Sequence, residues 1–133
     1  YEGSYIHYRK GYYYLFASVG ACCEGLKSTY KTVVGRSKSL YGPYVDKQGR
    51  KMLDNHHEVL LEGCENVKGP GHDSQIVKDD KGADWIFYHG YDVKEANAGR
   101  KMYLGRVTWD KDGWPRIGNG LHTQMSDVAP VIK

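Results

Sequence analysis

The sequence lacks any long hydrophobic run and any strong excess of one charge. No apolar stretch approaches the roughly 18 residues that a membrane span requires, and the first ten residues, YEGSYIHYRK, have no apolar middle of the signal-peptide type. Lys and Arg number 19 against 16 for Asp and Glu, a net charge of +3, and both signs are mixed along the chain. We therefore expect a soluble domain with no membrane span, and no nucleic-acid partner, because no basic block is available to bind phosphates.

Cysteine is also scarce. The count of three is odd, which excludes a complete disulfide framework but permits one bridge. Cys22 and Cys23 are adjacent in a glycine-rich loop, where either a vicinal disulfide or two free thiols is compatible with the sequence. Cys64 lies far along the chain, and no CxxC pair or suitably spaced histidine accompanies the three, so neither a zinc site nor a thioredoxin-type motif is predicted.

Aromatic residues and glycine are abundant instead. The chain has 12 Tyr, 3 Trp and 2 Phe together with 17 Gly, which is typical of β-strands joined by tight turns. No segment keeps apolar residues at helical spacing over three turns. Eight short strands are predicted: SYIHYR, YYYLFASV, YKTVVGRS, EVLLE, SQIVKD, DWIFYHGYD, KMYLGRVTW and WPRIG.

These strands form two sets of four, at about residues 4–62 and 73–118, separated by the Gly/Pro stretch at 63–72. Short glycine-bearing links favour antiparallel hairpins within each set. Four antiparallel strands make one blade of a β-propeller, and such blades bury their faces only against neighbouring blades. A self-contained eight-stranded sandwich or barrel fits the strand count equally well.

Two residues have positions suited to chemistry. Glu2 precedes Gly3 at the start of the first strand, where a carboxylate can project into a cleft, although most exposed glutamates are solvated charges. His72 lies in GPGHDS, where glycines let the backbone approach an ion or ligand closely, although most loop histidines only bond to backbone.

Five strings follow one another along nearly the whole chain: EGSYIHYRKGYYYLFASVGACC, STYKTVVGRSKSLYGPYVDKQG, GPGHDS, FYHGYD and WDKDGWPRIGNG. Their combination of a vicinal cysteine pair, STYK, GRS, GPYVDK and DGWP is specific. Taken together and in this order, the strings resemble glycoside hydrolase family 43, and within it the arabinanase and arabinosidase branch.

The resemblance implies an all-β chain of two four-stranded antiparallel blades from a five-bladed β-propeller. Residues 1–66 would form the blade that bears the general acid, the fourth of the family, and residues 67–133 the last blade and a C-terminal tail. It also implies inverting hydrolysis of arabinose-containing polysaccharide by three carboxylates. Glu2 matches the acid in a motif of the type E-(A/G)-P-x-(I/L), with Ser4 at the proline position, while the base and the pKa-tuning Asp would lie upstream. The 133 residues alone are expected to be inactive.

Two further roles follow from the resemblance. His72 matches a histidine that faces the central channel, near substrate, and binds a metal ion, usually calcium, largely through waters. Arg100 matches an arginine at the first sugar subsite. Expected partners are arabinan or arabinoxylan oligosaccharides and the remaining blades of a parent chain, which would be extracellular or periplasmic. The alternatives are a β-xylosidase or arabinofuranosidase of the same family and a non-catalytic carbohydrate-binding propeller.

Overall fold

The computed structural model describes residues 1–118 and 129–133. These ranges contain nine β-strands and three short 3-10 helices. The strands are β1 (Glu2–Arg9), β2 (Tyr12–Val19), β3 (Lys31–Ser37), β4 (Glu58–Leu61), β5 (Val67–Gly71), β6 (Val77–Lys78), β7 (Asp84–Asp92), β8 (Arg100–Trp109) and β9 (Pro115–Ile117). The 3-10 helices are Gly25–Lys27, Met52–Asp54 and Val93–Ala98.

The first sheet is an antiparallel meander in the order β1-β2-β3-β4. A tight turn at Lys10 and Gly11, both with positive φ, joins β1 to β2. The register pairs Glu2 with Ser18 and shifts between Glu2 and Tyr5, where β1 is irregular. The N-terminal end of β1 therefore lies beside the C-terminal end of β2.

The second sheet has the order β5-β7-β8-β9, and the short strand β6 pairs separately with β7. Two strand predictions were wrong here. The stretch 63–72 is not only a separator, because it contains β5, and SQIVKD supplies only the two residues of β6. Glycine and proline in VKGPG indicate a loop by composition, but in this strand they allow close contact with the first sheet.

The main hydrophobic core lies between the two sheets. Its members come from strands of both sheets and from the turn before β9. They are Tyr14, Phe16, Val34, Leu60, Leu61, Ile86, Tyr88, Val107, Trp114 and Ile117. Each sheet thus buries one face on the other, as blades of a propeller do.

One part of this interface is a cluster that we call the aromatic region, made of Tyr12, Tyr14, Arg36 and Trp114. The Arg36 guanidinium lies 4.1 Å from the ring centroid of Tyr12 and 4.4 Å from that of Trp114. Arg36 Nη1 also donates to the carbonyl of Asp112 at 2.7 Å, and the Tyr14 hydroxyl donates to that of Gly113. Cation–π contacts and hydrogen bonds therefore join the two blades firmly at this point.

The architecture confirms the prediction of an all-β chain made of two antiparallel blades from a five-bladed propeller, with β6 as an extra short strand in the second. The longest helix in the described ranges, Val93–Ala98, has six residues, so none there is long and apolar enough to cross a membrane. Part of the tail assigned to the last blade, residues 119–128, lies outside the described residues.

Candidate active site

Glu2 occupies the inner end of the first blade. It is the first residue of β1, and its side chain is exposed. Ser18, its partner in β2, is fully buried. The strand end thus presents a solvent-accessible carboxylate beside a buried interface, which is a suitable position for exchanging a proton with a bound molecule.

Gly3 and Ser18 bring Glu2 and His72 together. Gly3 has φ of +58°, and a β-carbon there would lie 3.1 Å from Cγ and Cδ2 of the His72 imidazole. His72 follows β5 directly, and its backbone N–H donates to Ser18 Oγ at 2.7 Å. The two predicted site residues, 70 positions apart in number, are therefore joined through the end of β2.

Tyr30 lies beneath this end of the interface. Its ring is fully buried and stacks on the imidazole of His89, with ring centroids 5.7 Å apart and planes inclined by 10°. A β-carbon on Gly71 would lie 2.3 Å from Tyr30 Cδ2, so the stack requires glycine at that position. Burial raises the pKa of the Tyr30 hydroxyl, and the neighbouring Glu2 carboxylate raises it further, against a lowering by Ser18. The hydroxyl is therefore protonated, and its buried oxygen has no hydrogen-bond partner among the described residues.

Asp73 is a buried acid beside His72. Its residue is 6% exposed, and burial raises the pKa of its carboxyl to about 7. Neither carboxyl oxygen has a hydrogen-bond partner among the residues that the structure describes. A cavity of about 380 Å³ lies against Asp73, and His72, His89 and Met102 form parts of its wall. An unpaired buried carboxyl is costly, so this residue is not explained by packing alone.

Arg100 approaches the same area from the second blade. It is the first residue of β8 and is exposed. Its Nη1 lies 3.7 Å from Sγ of Cys23, which is joined to Cys22 in a vicinal disulfide. The pKa of His89 is lowered by burial first and then by the neighbouring Arg100 and His72. A guanidinium with exposed donors thus lies beside the disulfide, on the side of the site where His89 is found.

We call Glu2, Ser18, Tyr30, His72, Asp73 and His89 the site region. The structure brings the predicted Glu2 and His72 together, with Arg100 nearby. Sequence reasoning did not single out Tyr30, Asp73 or His89, although they lie in the strings STYK, GPGHDS and FYHGYD. No local pattern marks them, because their convergence depends on how the two sheets pack.

The donor set tests the expectation of calcium. Calcium prefers oxygen ligands and six to eight of them. In residues 1–118 and 129–133, no three His, Cys, Asp or Glu side chains cluster so as to hold a metal. His72 offers one exposed imidazole, and Asp73 offers a carboxyl without a partner. These residues fit an ion that is coordinated mainly by water and exclude a cage built from the described side chains.

A site formed where the inner strands of adjacent antiparallel blades meet is characteristic of β-propellers. Comparison with known proteins gives the class: the model for the glycosyl hydrolases family 43 matches residues 1–115. The chain therefore belongs to family 43 of the glycosyl hydrolases.

Two named relatives are similar to most of this chain. The chain is 40% identical over 116 residues to the extracellular exo-α-(1→5)-L-arabinofuranosidase ArbA of Cellvibrio japonicus, covering 87% of this chain and 33% of that protein. It is 40% identical over 114 residues to the extracellular endo-α-(1→5)-L-arabinanase 1 of Bacillus subtilis, covering 86% and 33%. The chain thus spans about a third of the length of these relatives.

Solved structures of arabinanases are similar to this chain in fold and in sequence. The α-L-arabinanase of Cellvibrio cellulosa complexed with arabinohexaose has a TM-score of 0.82 and 40% identity, covering 88% of this chain and 36% of that one. The family 43 endo-arabinanase of Bacillus licheniformis has a TM-score of 0.77 and 39% identity, covering 85% and 37%.

Proposed function

We propose that this chain is the acid-bearing part of an inverting glycosidase that hydrolyses α-L-arabinan, with Glu2 as the general acid. The observation that carries the proposal is the exposed carboxylate at the inner end of β1, tied to His72 through Gly3 and Ser18, in a chain of family 43. Arabinanase and arabinofuranosidase relatives support arabinan as the substrate class.

The chemistry requires more than this chain. Glu2 donates a proton to the departing glycosidic oxygen, so that the leaving sugar departs as an alcohol. In an inverting enzyme the base lies roughly 6.5–9.5 Å from the acid and activates a water on the opposite face of the sugar. We assign the base and the pKa-tuning Asp to the upstream part of the parent chain. Residues 1–133 alone are accordingly expected to be inactive.

Arg100 is proposed to bind substrate. Its exposed guanidinium can donate several hydrogen bonds in a fixed plane, which suits sugar hydroxyls. His72 is proposed to line the same site and to give one ligand to a calcium ion held mainly by water. Such an ion would supply positive charge near the site.

The parent protein is proposed to act outside the cytoplasm, with the remaining propeller blades packed against this chain. Two relatives of 40% identity are named as extracellular. Polymeric arabinan is too large to enter a cell intact, which agrees with export.

The test is product analysis on linear arabinan and on arabinoxylan, using the parent chain and its Glu2→Gln variant. The amide keeps the shape of the side chain but has no acidic proton. We expect cleavage of arabinan by the parent and a loss of roughly 10²-fold or more in kcat for the variant. Glu62→Gln is the matched control, because Glu62 is exposed just after the outermost strand of the first blade.

An equally active Glu2→Gln variant would exclude the acid role. Cleavage of arabinoxylan but not arabinan would replace the substrate assignment with that of a xylan-acting member of the family. A parent that binds arabinan without cleaving it would favour the carbohydrate-binding propeller.

A further inference from the structure

The Cys22–Cys23 disulfide has no part in the mechanism above, yet it lies at the site. It belongs to the loop that follows β2, and the end of β2 is the part of that strand that pairs with Glu2. Cys23 is exposed and Cys22 half-buried. The bridge is therefore on the accessible side of the same end of the blades as the proposed acid.

The loop around the bridge is fixed by hydrogen bonds. The N–H of Ala21 donates to Thr29 Oγ1 at 3.0 Å, and the N–H groups of Thr29 and Tyr30 both donate to the Ala21 carbonyl at 3.1 Å. Ser28 Oγ accepts from the N–H of Glu24 at 2.9 Å and donates to the carbonyl of Cys22 at 3.2 Å. The bridge is thus held in place before any ligand arrives, which lowers the entropy cost of binding.

The loop also reaches the second blade. A β-carbon on Gly69 of β5 would lie 2.7 Å from Cβ of Ser28, so loop and strand are in close contact. At its tip, Cys23 Sγ lies 3.7 Å from Nη1 of Arg100. No carboxylate of the described residues lies within ion-pair distance of this guanidinium. Arg100 therefore keeps donors for a ligand next to the bridge.

The two groups offer complementary chemistry. A disulfide has no hydrogen-bond donor and exposes a polarisable apolar surface, as thioethers do. A pentose ring has an apolar C–H face and hydroxyl groups around its rim. Sites for small ligands combine an apolar wall with a few placed polar groups, and a guanidinium beside a disulfide is such a pair.

We propose that the Cys22–Cys23 disulfide is an apolar contact surface for a pentose ring whose hydroxyls bind to Arg100. This inference rests on the proposed function and deepens it, because it identifies part of the sugar subsite. Replacing both cysteines by alanine removes the two sulfur atoms and with them most of this surface. It is expected to weaken sugar binding more than it affects the chemical step.

The experiment uses the parent chain with both cysteines replaced, Cys22→Ala and Cys23→Ala together. Calorimetry with arabinohexaose is done in the Glu2→Gln background, where the ligand is turned over far more slowly, so that it measures affinity separately from cleavage. Steady-state kinetics with Glu2 intact, on linear arabino-oligosaccharides, give KM and kcat. We expect affinity to fall by about tenfold, a typical value for a lost apolar contact, with KM rising in parallel and kcat changing less than threefold. Cys64→Ala controls for loss of a cysteine elsewhere and is expected to leave the affinity unchanged.

Thr29→Val separates surface from scaffold, because it removes the side-chain acceptor for Ala21 and keeps the bridge. Unchanged affinity in the double variant, or an equal loss in Thr29→Val, would overturn the inference. Failure of the proposed function has a different signature: a parent that does not cleave arabinan. In that case an affinity loss confined to the double variant would still support the sugar contact.

Discussion

The interface between the two blades has two regions of opposite character. In the aromatic region every strong polar group described above has a partner: Arg36 lies between two rings, and the Tyr14 hydroxyl donates to a carbonyl. In the site region Asp73 has no partner within the described residues, and two imidazoles lie 6.2 Å apart between ring centroids, near a guanidinium. The polar groups between the same two sheets thus have partners in the aromatic region and lack some in the site region.

This difference indicates that the aromatic region contributes to stability, whereas the site region has groups available for binding. Groups that have found their partners within the protein contribute to folding and are unavailable to ligands. Groups left without partners weaken folding locally, and they remain available to substrate, ion or a neighbouring blade. Substitutions in the two regions should therefore separate stability from activity.

The largest effect is expected from Trp114→Ala in the aromatic region of the parent chain. Trp114 is 4% exposed, and its loss leaves a cavity beneath the Arg36 guanidinium. We expect the free energy of unfolding, measured in urea, to fall by about 3–5 kcal/mol. Tyr41→Ala is the control, because Tyr41 is 96% exposed and should change stability little. A loss below about 1 kcal/mol for Trp114→Ala would refute a stabilising role for this region.

A smaller effect, with a pH signature, is expected from Asp84→Asn. Burial acts to raise the pKa of Asp84, but hydrogen bonds from Lys78 Nζ at 2.7 Å and Trp109 Nε1 at 2.8 Å outweigh it and hold the pKa below its usual value. Because the folded pKa is depressed, this stability is present above the ordinary carboxyl pKa of about 4 and is lost as pH falls through the folded value.

At pH 7 the Asp84→Asn variant should therefore be less stable by about 1–2 kcal/mol, and its stability should fall less steeply below about pH 4. Urea unfolding at several pH values measures both quantities. Asp73 provides the contrast, because burial shifts its pKa upward, to about 7. An unchanged acid limb in the variant would show that the paired Asp84 does not contribute as described.

The smallest effect on stability, but a specific effect on rate, is expected from Tyr30→Phe. The Tyr30 hydroxyl is buried without a hydrogen-bond partner in the described part of the chain and interacts electrostatically with the proposed acid, Glu2. Removing it should lower kcat of the parent by about 3–10-fold and change the free energy of unfolding by under about 1 kcal/mol. The same change at Tyr14 removes its bond to Gly113 and should reduce stability with kcat unaltered. Equal kinetic effects in both variants would remove the distinction between the regions.

Much of the fold was predictable because strand signals are local. Alternation and turn residues located seven of the eight predicted strands closely, for example Tyr12–Val19, which matches β2 at both ends. The strand Val67–Gly71 was missed because glycine and proline have a low intrinsic preference for strands. They occur in this strand because small residues allow close contact with the other sheet. Contacts of this kind cannot be predicted from the local sequence.

The candidate site was predictable only where a motif marks it. Glu2, His72 and Arg100 were proposed as site residues through the family resemblance, and the structure places them at one end of the blades. The partners Tyr30, Asp73 and His89 depend on the packing angle and register of two sheets. A stack between Tyr30 and His89 joins residues far apart in the chain and requires Gly71 between them, which no period or spacing encodes.

The glycines of the inner strands have a consequence for the geometry of the whole ring. Near β1 and β5 the sheets meet through Gly3, Gly69 and Gly71, whereas farther out they are separated by the side chains of Arg36 and Trp114. The gap between the sheets is therefore narrow inside and wide outside, so each blade is a wedge. The taper of a wedge sets how many copies close a circle. Bulkier residues at the inner positions would widen the narrow end and reduce the angle between neighbouring sheets, toward a ring with more blades.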